Sequence, residues 1–272
     1  MSGTSLISSI PSYVSISRNE AQRIAQYETT DPHTKSDIAY IVKQAPKLTT
    51  VDALLKDYRS LSIVLNAFGL GDHIGQTALL RKLMTQDPTS KNSVAYELGD
   101  PTLTRFAKAM GQFSPPPFAS AGNIQAIITA SGTNNFEAAQ DLQSPGIANA
   151  LYFKRSIAGL TNIQQIMSDP KLLAVATTAT NMPDQFGTLS YDQQVTLLSA
   201  KITMKNFSNP LYVDTFVSKY LAIQTASTIA NTDTTGALSI LTGSGSSDNM
   251  LGALFPSTGV TAGDNSLLSL FA

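Results

Sequence analysis

The chain has no cysteine, no tryptophan and only two histidines in 272 residues. Without cysteine there are no disulfides, no thiolate metal sites and no cysteine nucleophile. Charge is scarce as well: Asp, Glu, Lys and Arg make up 14% of the residues, against about 25% in an ordinary soluble protein. The 18 basic and 19 acidic side chains nearly cancel, and no basic run exceeds a pair such as Arg81 and Lys82. Nonspecific binding to nucleic acid or to an anionic membrane needs a concentrated positive patch, so neither partner is expected. No apolar run reaches the roughly 18 residues of a transmembrane helix, so no membrane insertion is expected. Residues 1–16 lack Lys, Arg and any long apolar segment, and a cleaved secretory signal is therefore not expected.

Apolar residues still make up 42% of the chain, enough for a core that buries roughly three-quarters of the unfolded surface at this length. Their spacing is helical in most segments, and no alternating run of β-branched or aromatic residues marks a convincing strand. The most informative stretch is residues 48–75, LTTVDALLKDYRSLSIVLNAFGLGDHIG, which returns 112 positions later as LTNIQQIMSDPKLLAVATTATNMPDQFG without a gap. Seven of the 28 positions are identical, where unrelated segments would share about two. Thr50 and Asn162 each read as the N-cap of a short helix, and Asp57 and Asp169 as caps of the next. Behind the second cap stands Tyr58 in one copy and Pro170 in the other, a proline tolerated at the first helical position because its missing amide would be unpaired anyway. Gly69 and Asn181 then end the helix with residue types that accept a left-handed conformation. Gly75 and Gly187 mark a second shared corner.

The likeness extends on both sides. Tyr40 and Lys43 align with Tyr152 and Arg155 at the same shift, and Asp100-Pro101 and Asn209-Pro210 both pair a cap with an N1 proline. The expected fold is all-α and multihelical, built from two structural repeats of about 110 residues with flexible tails at both ends. Residues 1–16, free of charge and rich in Ser, read as a disordered leader. Residues 17–113 form the first repeat, opening with a capping box from Ser17 to Glu20 and a second helix capped by Asp31 before Pro32. Residues 114–150 read as a linker with connecting helices at 124–129 and 136–142, and a start signal at Ser144-Pro145. Residues 151–241 form the second repeat, with a capping box from Ser190 to Gln193, and its last helix frays after Leu221. Residues 242–272 read as a Gly/Ser-rich tail with two apolar clusters, in which Leu254, Phe255, Leu267, Leu268 and Phe271 are candidates for docking on a protein partner.

Few residues invite chemistry. His33 and His73 stand apart, with no second histidine at ligand spacing. The segment from Gly69 to Gly75 imitates a phosphate-binding loop, but its third glycine is one place late and it follows a helix instead of a strand. Asp72 and Asp184 recur at both corners, where turn or cap duty outweighs a metal or acid-base role. No catalytic residue, metal ligand or cofactor is expected. Between the copies the reactive-looking side chains change, Tyr58 to Pro170 and His73 to Gln185, while caps and apolar spacing persist.

The strings YVSISRNEAQRIAQYETTDP, DALLKDYRSLSIVLNAFGL, GDPTLTRFAKAMG, FEAAQ followed by ALYFKR, and GALSIL together resemble the bacterial family named domain of unknown function 1217, over roughly residues 13–242. That resemblance implies an all-helical fold with internal repeats, no assigned catalytic residues, and genes commonly found among flagellar genes. It implies a non-enzymatic structural or accessory protein with flagellar protein partners, either flagellum-associated or exported without a cleaved secretory signal. The alternatives are a cytoplasmic binding module, such as an export chaperone or assembly regulator, and an uncharacterised enzyme acting through Asp72 or His73. The long polar C-terminal tail and the low charge depart from familiar members.

Overall fold

Capping residues and helical apolar spacing produce fourteen α-helices and no strand among the residues that a computed structural model describes, 9–241, with side-chain surroundings to residue 228. The chain divides into residues 1–228 and 229–272. The described part of the latter, 229–241, is helical and ends the last helix. In order, the helices are α1 (Ser9–Arg18), α2 (Glu20–Thr30), α3 (Pro32–Gln44), α4 (Val51–Lys56), α5 (Tyr58–Phe68), α6 (Thr77–Thr85), α7 (Val94–Leu98) and α8 (Pro101–Met110). They continue as α9 (Ala121–Gln143), α10 (Ile147–Ile157), α11 (Ile163–Met167), α12 (Pro170–Ala179), α13 (Tyr191–Lys201) and α14 (Pro210–Leu241). None is long and apolar enough to cross a membrane among the described residues.

Two hydrophobic cores share one helix. The first gathers α3 to α8 around Leu54, Leu65, Leu80 and Phe106, and takes Ile127 and Ile128 from α9. The second gathers α10 to α14 around Phe153, Phe207, Phe216 and Tyr220, and takes Phe136 from the other end of α9. At 23 residues, α9 is about 35 Å long, so each half can serve a different core. The expectation of two separate helices across 124–142 is corrected. Ser131, Gly132, Thr133, Asn134 and Asn135 interrupt the apolar pattern, yet the helix passes through them because neighbouring helices satisfy Ser131, Asn134 and Asn135 while Thr133 bonds Thr129 O one turn back. Asn66 on α5 donates to Ser131 Oγ at 3.1 Å and to Asn135 Oδ1 at 2.7 Å, and Asn135 donates to Thr34 on α3 at 3.2 Å. A Cβ on Gly132 would collide with the Glu28 side chain, so glycine is what lets α2 approach α9.

The N-terminal expectations change most. Residues 9–16 are not a disordered leader: Ser9–Arg18 is a helix whose Tyr13 is 0% exposed and whose Ile16 lies in the second core. Tyr13 donates to Asp214 on α14 at 2.7 Å. Ser17 does not cap a helix, since α1 runs through it and α2 starts at Glu20 after Asn19. Glu20 is held by Arg155 instead of closing a capping box. Ile24 of α2 also belongs to the second core, so the core residue of α2 serves the second half of the chain although α2 also packs against α3. At the far end the helix does not fray after Leu221 but runs on to Leu241. The tail candidates Leu254, Phe255, Leu267, Leu268 and Phe271 lie outside the described residues.

Local signals fare better. Asp31 accepts from the Thr34 amide at 2.7 Å and starts α3 ahead of Pro32. Thr50 accepts from the Ala53 amide and Asn162 from the Gln165 amide, capping α4 and α11. Asp57 caps α5 through the Ser60 amide, and Asp169 caps α12 through the amides of Lys171 and Leu172. Ser190 and Gln193 close a capping box on α13. Gly69 and Asn181 are left-handed, with φ of 73° and 52°. Leu70 N bonds Leu65 O and Met182 N bonds Thr177 O, the same helix-ending bond 112 positions apart. Gly75 and Gly187 are different: neither has positive φ and a Cβ at either meets nothing, so the structure does not explain glycine there. The start signal at Ser144-Pro145 also moves: α10 begins after Gly146, and Asp141 accepts the amides of Gly146 and Ala148.

Candidate functional site

A cavity of about 750 Å³ opens where α5 ends, bounded by α8, α9, α10 and the start of α12. Its size falls within the range of small-molecule pockets, about 300–1,000 Å³. Phe68, Leu70, Met110, Ile127 and Pro170 give it an apolar lining, while Arg105, Arg155, Lys171, Asp72, Asp100 and Asp169 supply charge. Gly69, Asp72, His73 and Asp169, all singled out by sequence, meet here. Thr50, Asp57, Asn162, Asn181, Gly75 and Gly187 are not on its walls, and neither is Asp184.

Most of these charges are already engaged. Asp100 accepts from the amides of Thr102 and Leu103 and caps α8. Asp169 receives two amides of α12 and the Tyr152 hydroxyl, the latter at 2.6 Å. Burial raises the Tyr152 pKa above its ordinary value, and the Asp169 hydrogen bond and charge push the same way against Arg105. Arg155 bridges Glu20 and Glu137, each at 2.6 Å, joining α10 to α2 and α9. Glu137 is 2% exposed. Burial holds its carboxyl above the usual range even though Arg155 opposes that shift. Among the described residues, no ion pair includes Arg105 or Lys171.

Asp72 is exposed in the middle of the 3-10 turn that Gly71 opens and caps nothing, and Asp184 opens a second such turn. The buried Nδ1 of His73 has no hydrogen-bond partner. No nucleophile is seen hydrogen-bonded to His73, and no three His, Asp or Glu side chains gather as a metal site among the described residues. His33 is on the surface beside Asp37.

Sequence reasoning missed Arg105, Tyr152, Arg155 and Lys171 as members of one site. A signal for Lys171 existed. In the first half, Arg59 lies 4.6 Å from the Tyr40 ring centre and pairs with Asp37, while Tyr40 donates to Asp57. Position by position, 112 residues on, Lys171 lies 5.0 Å from the Tyr152 ring centre and Tyr152 donates to Asp169, but Asn149 replaces Asp37.

No curated protein matches the sequence. A crystal structure of a protein from Agrobacterium tumefaciens, determined as a structural genomics target, shares the fold with a TM-score of 0.68 at 22% identity, covering 81% of this chain and 93% of that one. Residues 67–213, more than half of the chain, match the family described as Protein of unknown function (DUF1217), and the protein belongs to that family.

Proposed function

We propose that the chain is a non-enzymatic, flagellum-associated structural or accessory protein, built from a duplicated helical unit and exported without a cleaved secretory signal. The observation that carries the non-enzymatic part is how the reactive-looking side chains are used. Asp57, Asp100 and Asp169 saturate helix N-termini, and Arg155 ties three helices through Glu20 and Glu137. Side chains committed to holding helices in place are poorly placed to exchange protons with a substrate. Support for duplication comes from the matched caps, the matched Tyr-to-Asp bonds and the matched helix ends 112 positions apart. The flagellar association rests on the family resemblance, and the export signal expected in residues 1–16 is narrowed to residues 1–8 because residues 9–16 belong to a helix of the second core.

A second reading, a cytoplasmic export chaperone or assembly regulator, is favoured by the cleft. Motility separates structural action from catalysis. A strain lacking the gene is expected to lose motility and to regain it fully with a copy carrying Asp72→Ala and His73→Ala. Motility restored by wild type but not by that variant, with the variant folded, would contradict the non-enzymatic reading.

A further inference from the structure

Helices α1 and α2 meet at a single residue. Asn19, between Arg18 and Glu20, leaves the helical conformation at φ −137° and ψ 38°, and its side chain makes no cap bond. The local sequence does not demand this bend. From Ser12 to Asp31 there is neither glycine nor proline, and asparagine is only mildly unfavourable inside a helix. The bend persists because α1 is held from outside. Tyr13 donates to Asp214 on α14 at 2.7 Å with Lys154 of α10 over its ring, Ile16 lies in the second core, and Ser9 Oγ donates to Pro145 O at 3.3 Å. Across the bend, Arg23 of α2 donates to Ser15 Oγ of α1 at 2.8 Å. Helix α2 has anchors of its own, Ile24 in the second core and Glu20 on Arg155. With Asn19 helical, Ser9 to Thr30 becomes one helix about 33 Å long, and amides around the bend gain partners one turn back. Tyr13 and Ile16 then leave their groove while α2 stays anchored. An emptied groove bares the apolar wall of the second core, and what fits it is another α1, because every copy carries the same strap and the same groove.

We propose that α1 is an exchangeable strap: the chain straightens at Asn19, and Ser9–Arg18 of each copy seats in the second core of the other, giving a closed dimer. Reciprocal exchange remakes every contact of α1 on the partner copy, so it costs little beyond the association itself. The conformation of residue 19 and the protein concentration set the balance. The proposal is independent of the flagellar reading, because it uses only α1, α2 and the groove.

Analytical ultracentrifugation of the full chain tests it through Asn19→Ala and Asn19→Gly, an exposed position at which circular dichroism is expected to stay unchanged. Alanine favours the straight helix over glycine by about fivefold at each hinge, so with a hinge in each copy the Asn19→Ala dimer dissociates at a concentration about twentyfold lower. A second arm locks the bend. The sequence has no cysteine, and Ser15 and Arg23 are exposed, so Ser15→Cys with Arg23→Cys places thiols on both sides of Asn19. Along a straight helix these positions stand about 12 Å apart, whereas in the bent chain their side chains touch, so a short dithiol cross-linker captures the bent form. The cross-linked chain stays monomeric at concentrations where the untreated variant dimerises. The proposal is overturned if Asn19→Ala stays monomeric up to its solubility limit, if the two Asn19 variants dimerise alike, or if the cross-linked chain dimerises as readily as the untreated one.

Discussion

Glu28 shows how much a single side chain depends on its surroundings. Its Oε1 is buried without a hydrogen-bond partner, pressed toward Gly132 on α9. Burial pushes its carboxyl above the ordinary value of 4.5. The folded protein therefore holds this proton more tightly than the unfolded chain does. Between the two pKa values the native state binds more protons, so this contribution falls as pH rises through that window and is lost above the folded value. Glu28→Gln keeps the shape and removes the titration. In urea denaturation series from pH 4 to 8, wild type is expected to lose stability relative to Glu28→Gln as pH rises. Parallel curves for the two proteins would contradict the assignment. The same residue bears on a miss in the sequence reading: the gap left between the expected helices at 124–129 and 136–142 contains Gly132, whose closeness to Glu28 spans more than a hundred positions.

At the scale of elements, the caps were legible because they are local. An Asp, Asn, Ser or Thr needs only the next two or three amides to act, so Asp31, Thr50, Asp57, Asn162, Asp169 and Ser190 all do what their context predicts. What was not legible depended on distant partners. Helix α1 looks too polar to fold because its two core residues find their places only against α10 and α14. Helix α9 looks broken because its polar middle is completed by Asn66 and Thr34. The site followed the same rule: Asp169 and Gly69 were visible as cap and stop, whereas Lys171 matters because of Asn149, whose meaning appears only beside Asp37. Two tyrosines tie into this level, each donating to a capping Asp 17 residues later. Asp57→Ala and Asp169→Ala are each expected to lower stability by about 2 kcal/mol, one cap plus one hydrogen bond. Tyr152→Phe is expected to cost about 1 kcal/mol, and Tyr40→Phe, at the more exposed corner, to cost less. Chemical denaturation measures all four, and a negligible loss in one Asp variant alone would show that the two corners are not equivalent.

For the whole molecule, the shared helix α9 and the chain reversal at the N-terminus matter most. Residues 9–30 leave the first core to complete the second, and Arg155 fastens α2 and α9 to α10. Because core residues begin in the helix that starts at Ser9, a deletion that asks about export stops at residue 8. Removing residues 1–16 would strip Tyr13 and Ile16 from the core and cost about 3 kcal/mol or more, confounding export with folding. Removing residues 1–8 keeps Tyr13 and Ile16 in the chain. The most direct measurement follows the full chain and this short deletion in cells with and without a working flagellar export apparatus, scoring filament, hook-basal body, medium and cytosol. A flagellum-associated export substrate appears outside the cytosol only when the apparatus works and only with residues 1–8 present. A full chain found in the cytosol alone, equally in both strains, would contradict it.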